Sequence, residues 1–268
     1  MTLSVSDIFR KLNEKNKCAL VPFITAGDPN LKITEKILKI LDKEGASIIE
    51  LGLPYSDSLA DGPIIQEAAA RALSRGIKFD NVLHMVQNVA QDISSPIVIF
   101  TYYNLILTKG TENFVQVINK SGAKGLIVPD LPLEESEELL SLCSKNGIEL
   151  ILLISPTSSL ERIELIAKKA QGCLYIVAST GVTGIRSDLN LEIKNLIKTV
   201  KRITDKPIII GFGISNPSQV IQVKSWGVDG IVLGSAFVNK IANFNAETTL
   251  VELTSFCKEI KQAIDFVQ

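Results

Sequence analysis

Histidine is almost missing from this chain: His84 is the only one in 268 residues, and it falls in a helical stretch distant in sequence from the strand ends. That argues against a zinc centre, which draws on imidazole and thiolate. Cysteine is sparse as well. Cys18, Cys143, Cys173 and Cys257 form no C-x-x-C pair, and each lies in or beside an apolar run. They read as reduced core thiols in a reducing compartment. Excess charge of one sign is lacking too: the net charge is -1, and basic residues gather into no arm or tail. Nucleic acid is therefore disfavoured as the main partner, although a compact phosphate site is compatible with that balance. No run is long enough for a transmembrane helix, and no signal-peptide or transit segment is visible. The chain is expected to be soluble and to act where it is made, or after a leader has been removed. Tryptophan occurs once, at Trp226, where it is expected to pack a helix end.

Apolar residues are plentiful, at 46%. Eight short apolar runs read as strands: 18–25, 47–52, 97–103, 125–129, 148–154, 173–178, 206–211 and 230–233. Most are continuous rather than alternating, as expected where both faces of a parallel sheet are covered. Helical periodicity fills the gaps, for example Ile33, Ile37, Ile40 and Leu41, or Leu189, Ile193, Leu196, Ile197 and Val200. A helix is also predicted over 5–15, another over 133–146, and a closing one through Leu253, Phe256, Cys257, Ile260 and Ile264. Strand–helix alternation over this length predicts a single-domain (β/α)8 TIM barrel across 1–268, with an extra N-terminal helix and a short helix after strand 8. An open doubly wound sheet is the alternative.

Barrel chemistry gathers at the C-terminal strand ends and the loops after them. The stretch 47–66 is unusual there, because Glu50 interrupts a strand between Ile49 and Leu51. A carboxylate facing the barrel mouth among apolar neighbours has a raised pKa and suits acid–base work. The alternative is a structural carboxylate bonded to backbone amides or to Tyr102 or Tyr103. Asp57 and Asp61 follow on the loop. Asp61-Gly62-Pro63 also reads as a helix cap with proline in the first turn. Glycine marks a second constellation: 179–184 after strand 6, Gly211 and Gly213 after strand 7, and Gly234-Ser235 opening the last short helix. Such loops are the usual phosphate site of a barrel, although turns need glycine anyway. Asp130 reads as turn chemistry.

Six linked stretches then carry a resemblance: Phe23-Ile-Thr-Ala-Gly-Asp-Pro, Glu50-Leu-Gly-Leu-Pro-Tyr-Ser-Asp, Leu59-Ala-Asp-Gly-Pro-Ile-Ile-Gln, Val128-Pro-Asp-Leu-Pro-Leu-Glu-Glu, Gly181-Val-Thr-Gly-Ile-Arg and Gly211-Phe-Gly-Ile-Ser. In this order they resemble the tryptophan synthase alpha chain family over nearly the whole length. The resemblance implies a lyase that cleaves indole-3-glycerol phosphate to indole and glyceraldehyde 3-phosphate. It implies that Glu50 and Asp61 are catalytic. Phe23, Ile65 and Phe212 would line the indole pocket, with Tyr102 and Tyr175 near the substrate. Gly184, Gly213, Gly234 and Ser235 would lie about the phosphate, and Thr183 would also bind the substrate. No metal or cofactor is implied in this chain; pyridoxal phosphate is expected only in a beta chain, with which an alpha2beta2 heterotetramer would form. Loops 56–61, 130–134 and 180–189 are the expected contact and closure elements. The expected location is a bacterial cytoplasm, or a plastid stroma if organelle-encoded. Ser58 stands where the family usually has proline, which leaves that loop less stiff. Two other readings remain from the residues: a different phosphosugar barrel enzyme, and a non-catalytic activating subunit.

Overall fold

The computed structural model describes residues 3–177, 186–211, 213–245 and 247–266, with backbone alone for 186–190. Eight strands carry the architecture: β1 (Ala19–Thr25), β2 (Ile49–Gly52), β3 (Ile97–Phe100), β4 (Gly125–Ile127), β5 (Glu149–Ile154), β6 (Leu174–Val177), β7 (Ile208–Gly211) and β8 (Gly230–Leu233). They close in sequence order, and every pair is parallel. The closing register sets Ala19 against Gly230 and Pro22 against Leu233. The barrel reading holds, and the open-sheet alternative does not.

The helices are α1 (Val5–Asn13), α2 (Leu31–Lys43), α3 (Pro63–Ser74), α4 (Phe79–Val89), α5 (Tyr103–Lys109), α6 (Thr111–Lys120), α7 (Glu137–Lys145), α8 (Leu160–Lys169), α9 (Arg186–Ile203), α10 (Pro217–Lys224), α11 (Ser235–Ala242) and α12 (Thr249–Asp265). Ser4 starts α1 by accepting from the Asp7 N–H, while Asp7 reaches back to the Ser4 N–H. This reciprocal cap satisfies two otherwise orphaned donors.

Strand alternation sorts the core into two layers. Leu20, Ile24, Ile49 and Leu51 face the helices in the outer core. Ala19, Val21, Val98, Ile151, Ile209 and Val232 fill the barrel, and Val5 and Phe9 of α1 join that inner cluster. On the same parity, Glu50 points inward with Ile48 and Gly52. It pairs in register with Phe23 of β1 and Val98 of β3. All four cysteines are free and buried. No described helix is long and apolar enough to cross a membrane.

Two expected elements differ. The apolar run at 97–103 ends as a strand at Phe100. The Tyr103 N–H is bonded instead to the Asp130 carboxylate, at 2.9 Å to Oδ1, and α5 begins there. Asp130 thus closes the start of a helix rather than merely shaping a turn. The helix expected over 133–146 breaks into a 3₁₀ turn, Leu133–Glu135, followed by α7. The Ser136 hydroxyl folds back to the Leu133 carbonyl at 2.7 Å. Local side-chain bonding of this kind competes with helix continuation.

Candidate active site

At the C-terminal end of the barrel a cavity of about 610 Å³ opens inside the strands. Glu50 and Asp61 both line it, with Phe23, Ile65, Phe100 and Tyr175 on its walls. Gly211, Gly213, Gly234 and Ser235 also border it. A larger hollow of about 1160 Å³ lies at the opposite end, beside α1 and the N-terminal strand ends, and contains none of these residues.

Glu50 is 1% exposed, and its Oε1 has no hydrogen-bond partner. The structural alternative, a carboxylate saturated by amides or tyrosines, is therefore not what the barrel builds. Burial pushes the Glu50 carboxyl up from 4.5 to about 8. Keeping it protonated avoids a buried, unpaired charge. The other fully buried side-chain oxygens without partners among the described residues are the hydroxyls of Thr25 and Thr101, which carry no charge.

Asp61 does not cap α3. Gly62 occupies the N-cap with no side-chain bond, and Pro63 takes the first turn. The carboxylate instead faces the cavity, where burial pushes it up to about 6 against the opposing effect of a hydrogen bond from Tyr102. Its surroundings are half-buried. The two carboxyl groups nevertheless fall on opposite sides of neutrality. Near pH 7 one holds a proton and the other is ionised, an arrangement that suits an acid and a charge stabiliser working together.

The loop carrying Asp61 is pinned despite Ser58. Ser58 is buried, and its carbonyl accepts from the Asp61 N–H at 3.0 Å and from Gln66 Nε2 at 3.1 Å. Gln66 Nε2 also donates to the Asp61 carbonyl at 3.0 Å. Asp57 remains an exposed loop residue.

The walls explain two glycines. A Cβ on Gly52 would stand 2.6 Å from the Phe23 ring, and one on Gly211 would stand 2.6 Å from the Tyr175 hydroxyl. Both glycines make room for the aromatic side chain on the neighbouring strand. Phe23 meets Phe100 edge to face, with centroids 5.5 Å apart. This apolar wall suits a flat aromatic ligand. Tyr175 is buried, and burial followed by the nearby Glu50 raises its hydroxyl well above the usual value. It is therefore a neutral hydrogen-bonding group rather than a base.

At the other side, Gly234 precedes α11 with no side-chain cap. The first N–H groups of a helix left in this way favour an anion. Gly213 has φ 60°, a conformation that glycine adopts freely. Arg162 is the one cation among the described lining residues, and it is engaged by Glu134 at 2.6 and 3.1 Å. An anion here would meet mainly backbone dipoles. Thr183, Gly184 and Phe212 lie outside the described residues, as does most of the expected closure segment. Tyr102 is not among the described lining residues; its hydroxyl lies beside Asp61. Phe100 and Arg162 were not picked out from sequence. Phe100 could have been found from strand parity, but the tertiary approach of Arg162 leaves no local signal.

The comparisons with known proteins agree with this geometry. The tryptophan synthase alpha chain family matches residues 9–265. The tryptophan synthase alpha chain of Pyropia yezoensis is 53% identical over 261 residues, covering 97% of this chain and 98% of that one. Among solved structures, tryptophan synthase subunit alpha from Legionella pneumophila superposes with a TM-score of 0.90 at 35% identity, covering 98% of both chains. A chain of the tryptophan synthase complex from Pyrococcus furiosus superposes with a TM-score of 0.83 at 32% identity, covering 91% of this chain and 98% of that one. With a full-length family match, close relatives and the barrel and cavity in place, this chain belongs to the tryptophan synthase alpha chain family.

Proposed function

We propose that this cavity carries out the family's lyase reaction, cleavage of indole-3-glycerol phosphate to indole and glyceraldehyde 3-phosphate, with Glu50 and Asp61 as its catalytic carboxylates. The observation that carries the assignment of roles is the buried, unpartnered Glu50 sharing one cavity with Asp61. Indole is a poor leaving group as a carbanion and a good one after protonation at C3. Protonated Glu50 delivers that proton. Ionised Asp61 accepts the indole N–H bond and stabilises the positive charge that develops on the ring. The glycerol hydroxyl next to the ring then loses its proton to the Glu50 carboxylate. The carbon–carbon bond breaks, its electron pair returns to the ring, and the hydroxyl carbon becomes the aldehyde. Glu50 ends protonated, so the cycle closes without a net proton.

Phe23, Ile65 and Phe100 offer the apolar surface for the indole, and Tyr175 a neutral hydroxyl near the reacting bond. Gly213 after β7, with Gly234 and Ser235 at the start of α11, receives the phosphate, whose binding energy acts away from the bond being broken. Thr183, Gly184 and Phe212 are assigned to the same ligand from their resemblance to the family's motifs. Proton transfer and charge stabilisation suffice for the reaction, so no cofactor is assigned to this chain. The purified chain should release indole and glyceraldehyde 3-phosphate in equal amounts. Asp61→Asn should lower turnover by about a hundredfold or more. Absence of indole release from the wild type, alone and with a beta chain, would overturn the reading.

A beta chain holding pyridoxal phosphate is the proposed receiver of the indole, in an alpha2beta2 assembly. Leu59, on the loop between Glu50 and Asp61, is 83% exposed, the most exposed large apolar side chain among the described residues, which supports docking of a partner there. Sedimentation with a beta chain should show the heterotetramer, and Leu59→Glu should weaken it by about tenfold or more. Equal affinity for both forms would remove this loop from the interface. A bacterial cytoplasm or a plastid stroma is the proposed place of action, a reading supported by relatives from bacteria and from the alga Pyropia yezoensis.

A further inference from the structure

The hydroxyl of Tyr102 occupies a position that the reaction scheme leaves unused. Tyr102 is 3% exposed and lies just beyond the end of β3. Its oxygen accepts the Ala60 N–H at 3.1 Å and stands close enough to the Asp61 carboxylate to favour its charged form. One hydroxyl thus holds the backbone before Asp61 and stands beside the carboxylate itself. The ring is held in turn. Tyr55 stacks on it with centroids 5.2 Å apart and planes 21° from parallel, and Asn104 Nδ2 donates to the Tyr55 hydroxyl at 2.9 Å. Phe100 meets the Tyr102 ring edge-on at 6.4 Å. Packing therefore leaves the hydroxyl little freedom to miss its two partners.

We propose that Tyr102 is a positioning residue, whose hydroxyl bridges Ala60 and Asp61 and so holds the second carboxylate toward the cavity. The proposal rests on the catalytic role given to Asp61 above. It separates Tyr102 from the substrate-contacting residues, since it acts through Asp61 rather than on the ligand. The same hydroxyl opposes the effect of burial on Asp61, favouring the ionised form that the indole ring requires. Other ionisable groups at the cavity are Glu50, Asp130, Arg162 and Tyr175. The influences acting on Asp61 itself are its burial and the Tyr102 hydroxyl.

Tyr102→Phe retains the ring and its stacking and removes only the bridge. Carbon-13 labelled aspartate would report the Asp61 titration directly. In Tyr102→Phe its midpoint should rise by about half a pH unit or more. The acidic limb of kcat/KM should rise with it, and kcat should fall by about tenfold with KM little changed. Hydrogen exchange at the Ala60 amide should accelerate. Fluorotyrosine at position 102 keeps the ring and is a stronger donor, so it should move the Asp61 midpoint down. An unchanged Asp61 midpoint with both replacements would overturn the proposal, as would a loss of activity confined to a lower melting temperature with the pH profile unmoved. If the wild type releases no indole, the reading of the reaction fails, while the Asp61 titration still decides the part played by Tyr102.

Discussion

Replacing Glu50 by glutamine is expected to lower turnover of indole-3-glycerol phosphate by about a hundred- to ten-thousand-fold, with KM little changed. Glutamine keeps the volume and a hydrogen-bond donor but has no proton to give to the ring carbon. The pH dependence follows from the two carboxyl groups. Glu50, pushed up to about 8, is protonated below that value and loses its donor form as the pH rises through it. Asp61, pushed up to about 6, loses its charge as the pH falls through that value. The wild type should therefore show a bell-shaped kcat/KM, with limbs near those two values. Residual activity in Glu50→Gln should lack the alkaline limb. Full activity in this variant, in steady-state assays of indole release across that range, would remove Glu50 from the chemistry.

The same substitution should make the protein more stable where the enzyme works. In the unfolded chain Glu50 ionises at about its ordinary value of 4.5, whereas in the folded barrel it holds its proton to about 8. Between these values the folded state binds more protons than the unfolded one, so stability falls as the pH rises. Above about 8 both states are ionised and the loss is complete. For a group this buried the loss is on the order of 4–5 kcal/mol. Glutamine cannot ionise and escapes it. Chemical denaturation near pH 4 should find the wild type and Glu50→Gln alike, and near pH 8.5 should find the variant several kcal/mol more stable. Equal stabilities at the higher pH would mean that Glu50 is not held in a water-excluded site. An active-site group that costs stability is a common bargain in enzymes, because the strained or desolvated state is the reactive one.

Helix and strand order was legible because long, regular patterns reflect burial on one face or two. The run at 230–233 became β8 with the expected bounds, and Ile193, Ile197 and Val200 are fully buried on α9. The boundary at Phe100 was not legible. Tyr102 and Tyr103 fit a strand by local preference, and what stops the strand is Asp130, on the loop after β4. The break at Ser136 was hidden for a similar reason: four glutamates at a helix start favour one continuous helix, while a serine hydroxyl redirected the chain.

The site divides in the same way. Glu50 stood out in the sequence because a carboxylate inside an apolar strand is costly, but two readings of it remained until its oxygen was found without a partner. Asp61 read equally well as a cap, and only the fold turned it toward the cavity, with Gly62 taking the cap position. The sequence by itself determined the barrel order, the place of an unusual acid on β2, and the family to which the motifs point. Tertiary structure alone decided which acids share one cavity and which of them keeps its proton. Proton affinity depends on excluded water and on groups such as Tyr102, which lies 41 positions from Asp61 in the chain and within hydrogen-bond reach of it in the fold.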